Sequence, residues 1–192
     1  MNSFTFIGID PGTTHIGISI WTIDIDSLNI VDIKAYTFNT MNILYRDQEL
    51  EMSHGTRFSR LITLRKEFAS VLRQIKPISV ACESPFYFSK RPGAFAPLVE
   101  VLYILKCAVF DYDQTVPFIT YDPSSIKNSI GALGNANKEL VKNTMMDLTT
   151  IPLSGEYIQT LDEHSIDAIA VGYCHYRTYI LGEVKTNLKT KT

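Results

Sequence analysis

Apolar and polar positions first alternate along the chain with a period of two. Phe4, Phe6, Ile7 and Ile9, then Ile16, Ile18, Ile20 and Trp21 beyond Pro11-Gly12, mark two β-rich segments joined by a short turn, which predicts a hairpin. A third β-rich run, Ile30 to Phe38, follows the turn cluster Asp24 to Asn29, so the chain is expected to open as a three-stranded meander. Residues 39–56 carry mixed charge and weak periodicity and are expected to form a long loop or irregular cap. From Phe58 the period lengthens: Leu61, Ile62, Leu64, Phe68, Ala69, Leu72 and Ile75 recur at three- and four-residue spacing, an amphipathic helix closed by Pro77. Ile78 to Cys82 reads as a short strand ending at Glu83. A loop, Ser84 to Gly93, leads to a second helical pattern over Ala94 to Phe110, and Val116 to Tyr121 is a fifth strand. Lys138 to Leu148 and His164 to Leu181 are expected to be the last two helices, with a polar tail behind them.

Three consecutive strands followed by alternating helix and strand imply an α/β fold: a mixed five-stranded sheet, three strands antiparallel and then two parallel, with helices on both faces. This order of elements resembles an RNase H-like fold. At 192 residues and 45% hydrophobic content, a chain buries roughly 70% of the surface that its unfolded form exposes, enough for one core. One domain over residues 1–182 and a polar tail over 183–192 are therefore expected.

Net charge is −2, which argues against a protein coated in positive potential, although the average conceals a local excess of cations. Arg57, Arg60, Arg65, Lys66, Arg73 and Lys76 oppose one acid, Glu67, over residues 57–76. This stretch is either a solvated helix face or a surface for nucleic acid. Cys82, Cys107 and Cys174 lie in apolar stretches without metal-type spacing and are expected to be reduced, buried thiols. The chain start lacks the pattern of a signal peptide and no run approaches ~18 uninterrupted apolar residues, so a cytoplasmic protein with no membrane span is expected.

The chemistry-bearing residues are acids at element ends. Asp10 closes an apolar strand before Pro11-Gly12-Thr13-Thr14 and reads either as a cap for the turn amides or as a carboxylate facing a cleft. Glu83 ends a core-like strand and needs a partner, either a cation of the protein or a metal ion. Asp162-Glu163-His164-Ser165-Ile166-Asp167 opens an apolar helix. His164 and Asp167 share one face there, while Asp162 suits a helix cap. Carboxylates at two strand ends and a third on a late helix suit a divalent-metal phosphodiesterase, because hard oxygen ligands hold Mg²⁺. Two metals ~3.5–4 Å apart would activate water and stabilise the leaving oxygen.

Three segments carry a resemblance: Ile7-Gly-Ile-Asp-Pro-Gly-Thr-Thr-His-Ile-Gly17, Ala81-Cys-Glu-Ser-Pro-Phe86 and His164-Ser-Ile-Asp-Ala-Ile-Ala-Val-Gly-Tyr-Cys-His175. Their order and spacing resemble the RuvC family of Holliday junction resolvases, and the resemblance spans almost the whole chain. It implies that Asp10, Glu83 and Asp167 are metal-binding catalytic acids and that His164 occupies a position filled by Asp or His among resolvases. Tyr121-Asp-Pro-Ser-Ser-Ile-Lys127 and Gly134-Asn-Ala-Asn-Lys138 are similar to the family's stretch with two functional lysines, although Ala132-Leu133-Gly134 departs from its glycine pattern. Lys127 and Lys138 are the matching positions, with Lys138 counted among the catalytic groups.

Phe86 matches an aromatic that resembles a wedge at the junction centre, and Tyr87, Lys90 and Arg91 extend the expected DNA contacts. The resemblance thus implies a metal-dependent endonuclease that nicks four-way or branched DNA as a homodimer. It would use Mg²⁺ or Mn²⁺ and no nucleotide cofactor, in a bacterial cell or a phage-infected host. The helix over Ala94 to Phe110 is the expected dimer interface, through Val101 and Ile104. An RNase H-like nuclease acting on structured RNA precursors and a catalytically silent junction-binding protein are the alternatives. Actin- and sugar-kinase-like ATPases share the opening Asp-x-Gly-Thr turn but need a far longer, duplicated chain.

Overall fold

The computed structural model describes residues 2–40, 48–86, 92–132, 138–148 and 150–182. Strands β1 (Ser3–Asp10), β2 (His15–Asp24), β3 (Ile30–Asn39), β4 (Val80–Glu83) and β5 (Phe118–Tyr121) form one sheet in the order β3-β2-β1-β4-β5. The β1–β2 and β2–β3 pairs are antiparallel; β1–β4 and β4–β5 are parallel. The mixed sheet expected from the element order is therefore present.

Alternation along the strands sends successive side chains to opposite faces, and each face carries its own core. Ile7 and Ile9 of β1, with Ile16 and Ile18 of β2, pack against Leu64, Phe68 and Leu72 of α1 (Gln48–Ile75) and Leu105, Ala108 and Val109 of α2 (Phe95–Tyr112). Phe6, Trp21 and Ile23 face the other way. They meet Ile169, Val171 and Cys174 of α6 (Glu163–His175), with Ile126 of α3 (Pro123–Ser129), Val141 of α4 (Lys138–Asp147) and Ile158 of α5 (Gly155–Thr160) in the same core.

Helix α6 lies directly on β1 and β2 because two glycines let it. A Cβ at Gly17 would collide with the carbonyl oxygen of His164, and one at Gly8 would stand 2.7 Å from the Gly172 nitrogen and 2.8 Å from the Ala168 oxygen. Buried Ser19 secures the approach: its hydroxyl donates to the Ala168 carbonyl at 2.7 Å and accepts the Trp21 indole N–H at 3.0 Å. At the far end of α6, fully buried His175 spans to the neighbouring strands. Its Nε2 lies 2.8 Å from Ser79 Oγ and its Nδ1 2.9 Å from Tyr121 Oη. Burial lowers its pKa to about 4.

Several sequence expectations need correction. The segment read as a loop over 39–56 is helical from Gln48, with a break in α1 at Gly55, where φ is 81°. Residues 41–47 lie outside the described part. The last helix does not run uniformly to Leu181; α6 ends at His175 and continues as a π-helical turn, Tyr176–Ile180. Val101, expected at the dimer interface, is 3% exposed in the core, and Ile104 packs partly against that core. The exposed apolar positions of α2 are Val99, Tyr103 and Phe110. No helix among the described residues is long and apolar enough to cross a membrane. The polar tail, 183–192, lies outside the described residues.

Candidate active site

Parallel pairing of β1 and β4 brings two acids together. The register runs Ile7–Val80, Gly8–Ala81, Ile9–Cys82, which leaves Asp10 and Glu83 one step further on adjacent strands, at the ~4.8 Å spacing of strand neighbours. Ile9 and Cys82 belong to the α1–α2 core, so the next residue of each strand faces α6. Burial raises the Cys82 thiol pKa well above its ordinary value, and the negative charges of Asp10 and then Glu83 raise it further, a mark of how near both carboxylates stand.

The first turn of α6 covers these strand ends. Asp162 is its cap: the carboxylate accepts the Ser165 N–H at 2.9 Å and the Thr37 hydroxyl at 2.5 Å, fastening the helix start to β3. Burial raises the Asp162 pKa, but the hydrogen bonds from Thr37 and Ser165 outweigh it and the net shift is downward. Two residues on, His164 Nδ1 lies 2.9 Å from Asp10 Oδ2, with both side chains largely buried. His15, at the start of β2, stacks flat on the His164 ring, centroids 5.5 Å apart and planes 6° off parallel. Asn39 Nδ2 lies 3.3 Å from His15 Nε2.

Glu83 and Asp167 line a cleft of about 140 Å³ together with Lys127 of α3. Lys127 reaches it because Asp122 caps α3, accepting the Ser125 N–H at 2.9 Å directly after β5. Of the other expected site residues, Lys138 begins α4, although its side chain lies outside the described residues. Phe86 follows β4 with 65% of its surface exposed, so it is not an anchor in the core. Tyr87, Lys90 and Arg91 lie outside the described residues.

Asp10 thus meets His164 directly, and Glu83 and Asp167 line one cleft. Among the described residues, no group of three His, Cys, Asp or Glu side chains stands close enough to hold a metal ion as placed. In chemistry the set nevertheless fits a divalent cation: three carboxylates and an imidazole stand at adjoining element ends, and neighbouring carboxylates tolerate each other best around a positive charge.

The basic stretch of α1 is less basic in three dimensions than in sequence. Arg57 Nε binds Glu100 Oε2 at 2.8 Å and Arg65 binds Asp111 at 2.5 Å, both acids lying on α2. Sequence reasoning missed these pairs, which join residues more than forty positions apart. It also gave no separate role to His15, although its place five residues after Asp10 was a usable signal.

A family model described as "Crossover junction endodeoxyribonuclease RuvC" matches residues 6–175. A curated protein of that name from Dehalococcoides mccartyi is 26% identical over 174 residues, covering 88% of this chain and 89% of its own. Another, from Borrelia turicatae, is 28% identical over 179 residues, covering 91% of this chain and 97% of its own. Among solved structures, Thermus thermophilus RuvC is similar with a TM-score of 0.65 at 21% identity, over 93% of this chain and 97% of that one. At that identity the likeness shows the fold.

Proposed function

The chain belongs to the RuvC family of crossover junction endodeoxyribonucleases, and from that premise we propose that it resolves four-way DNA junctions by paired nicks, with Asp10, Glu83, His164 and Asp167 forming its reaction site. The observation that carries this reading is the register of β1 and β4, which sets Asp10 and Glu83 side by side beneath the turn of α6 that bears His164 and Asp167.

Members of the family depend on a divalent cation, and here these four side chains would hold it. Bound there, the cation supplies activation of water and stabilisation of the departing oxygen. The chain's own groups do the positioning. Asp10 fixes the His164 imidazole through their 2.9 Å contact, and His15 restrains the same ring from its face. Lys127, in the cleft with Glu83 and Asp167, offers positive charge to the phosphate being cut, and Lys138, the second lysine matched to the family, is assigned to stabilising the charge that develops in the reaction. An imidazole among the donors favours Mn²⁺ at least as much as Mg²⁺, because nitrogen suits the softer transition ion.

Exposed Phe86 presents its ring to an unpaired base at the crossover, a contact of about 1–3 kcal/mol, and Tyr87, Lys90 and Arg91 are assigned to further DNA contacts. Paired nicks on symmetry-related strands call for a two-fold dimer. Val99, Tyr103 and Phe110, 40%, 67% and 59% exposed on one side of α2, are the apolar surface on which a second copy would dock. On this reading the enzyme is one nuclease domain, residues 1–182, and acts in the cytoplasm of a bacterial cell or a phage-infected host.

The test is cleavage of a four-way junction beside a linear duplex of the same sequence, with and without a divalent cation. Cation-dependent paired nicks confined to the junction are expected. Equal cutting of the duplex, or binding of the junction without any cutting, would refute the assignment.

A further inference from the structure

Beside the acidic cleft lies a groove of about 660 Å³. One end is the Gly12–His15 turn with His164, so the groove opens onto the reaction site. Its walls come from α1 and α2: Leu61, Pro97, Leu98 and Val101 are apolar, and Arg57, Arg60 and Glu100 are charged. The volume falls within the ~300–1,000 Å³ typical of small-molecule sites, whereas the acidic cleft, about 140 Å³, is much smaller.

The two arginines differ. Arg57 is neutralised locally by Glu100 at 2.8 Å. Arg60 has neither an ion pair nor a hydrogen bond among the described residues, and its Nε is buried without a partner. A guanidinium N–H withdrawn from water and left unpaired is costly, and a charged one more so. Such a group is retained at low cost when an anion completes it, and the planar fork of Arg suits the oxygens of a phosphate.

We propose that this groove seats one nucleotide of the cleaved strand next to the scissile phosphate, with Arg60 holding that nucleotide's phosphate and the Leu61–Pro97–Leu98 wall taking its sugar and base. The inference rests on the junction-cutting reading above and adds a specific contact to it. Continuity with His164 sets the register, because a strand whose scissile phosphate lies at Asp10 and His164 passes its next residue into the groove. The apolar wall distinguishes a nucleotide from free phosphate, which has no use for it.

The test uses the full chain, wild type and Arg60→Gln, with four-way junctions in which each phosphate flanking the cut is replaced in turn by a neutral methylphosphonate. On the unmodified junction Arg60→Gln binds about tenfold more weakly, and the logarithmic salt dependence of its binding is shallower by about one. One methylphosphonate position weakens wild type by a similar factor and leaves Arg60→Gln unaffected, because the variant has already lost that contact. Arg60→Lys, which keeps charge and length, recovers the salt dependence but not the full affinity, and carries the same comparison if the Gln variant melts early. Losses that add at every position, with a wild-type salt dependence, would overturn the assignment and leave Arg60 a packing residue. A wild-type enzyme that prefers the junction while showing no such position defeats this inference alone; one that shows no junction preference defeats the reading on which it rests.

Discussion

Acidification from pH 7 to pH 4.5 removes stability that His175 supplies only while neutral. Its ring is fully buried between Ser79 Oγ and Tyr121 Oη and stacked on Tyr179 at 4.8 Å, and burial holds its pKa at about 4 against an ordinary 6.5. Above pH 6.5 the imidazole is neutral in both folded and unfolded chains and the contribution is complete. Between pH 6.5 and 4 the unfolded chain takes up a proton that the folded one refuses, so stability falls with pH throughout that window. At about 1.4 kcal/mol per pH unit the full loss is roughly 3 kcal/mol, a large part of the ~5–15 kcal/mol that holds a domain together. Asp122 and Asp162, whose pKa values are also lowered, act in the same sense but in a separate window: their stabilisation is complete above the ordinary carboxylate range and lost only at more acid pH. Urea unfolding at half-unit intervals from pH 4.5 to 7.5 measures the slope. His175→Gln, which keeps a donor and an acceptor for Ser79 and Tyr121, removes it. A flat wild-type profile, or an equal slope in the variant, refutes the reasoning.

Gly17→Ala drives a methyl group into the His164 carbonyl; a loss of about 1–3 kcal/mol is expected from overpacking, with a larger fractional loss of cleavage as the start of α6 shifts. Unchanged melting temperature and turnover would show that α6 does not depend on that close approach. Phe86→Ala leaves phosphate binding and salt dependence intact but lowers base-analogue fluorescence at the crossover and slows cleavage, since it removes an exposed ring without altering charge; unaltered strand opening assigns the stacking to another aromatic. Tyr103→Glu places a charge on the exposed stripe of α2 and yields a monomer by sedimentation, with single rather than paired nicks; an intact dimer moves the interface elsewhere.

Local patterns made the sheet and the acidic ends legible. The period-two runs of β1 and β2 and the apolar run before Glu83 state which residues face inward, and a strand end is where the pattern stops, so Asp10 and Glu83 stood out. The cap role of Asp162 was equally local. Polar Gln48–His54, followed by Gly55, lacks the apolar stripe that marks a helix and was expected to be a loop, although it forms the first part of α1. The short helices α3 and α5, of seven and six residues, are too brief for the helical period to repeat, and only their caps Asp122 and Ser154 signalled them. Val101 was assigned to the wrong side of α2 because that helix is apolar nearly all round, and its inward face is decided by α1 and β1 rather than by its own sequence. The Arg57–Glu100 and Arg65–Asp111 pairs and the stacking of His15 on His164 join distant segments, so they follow from the fold and from no local pattern.

On the proposed reading, carboxylates set side by side by the β1–β4 register serve the cutting of junction DNA while other groups bind it. The most direct measurement compares wild type with Asp10→Asn on one labelled four-way junction in Mg²⁺ and in Mn²⁺, recording affinity and nicking rate together. Asp10→Asn is predicted to bind the junction as wild type does while its nicking falls by more than about 100-fold with either cation. Near-normal nicking by Asp10→Asn would contradict the account.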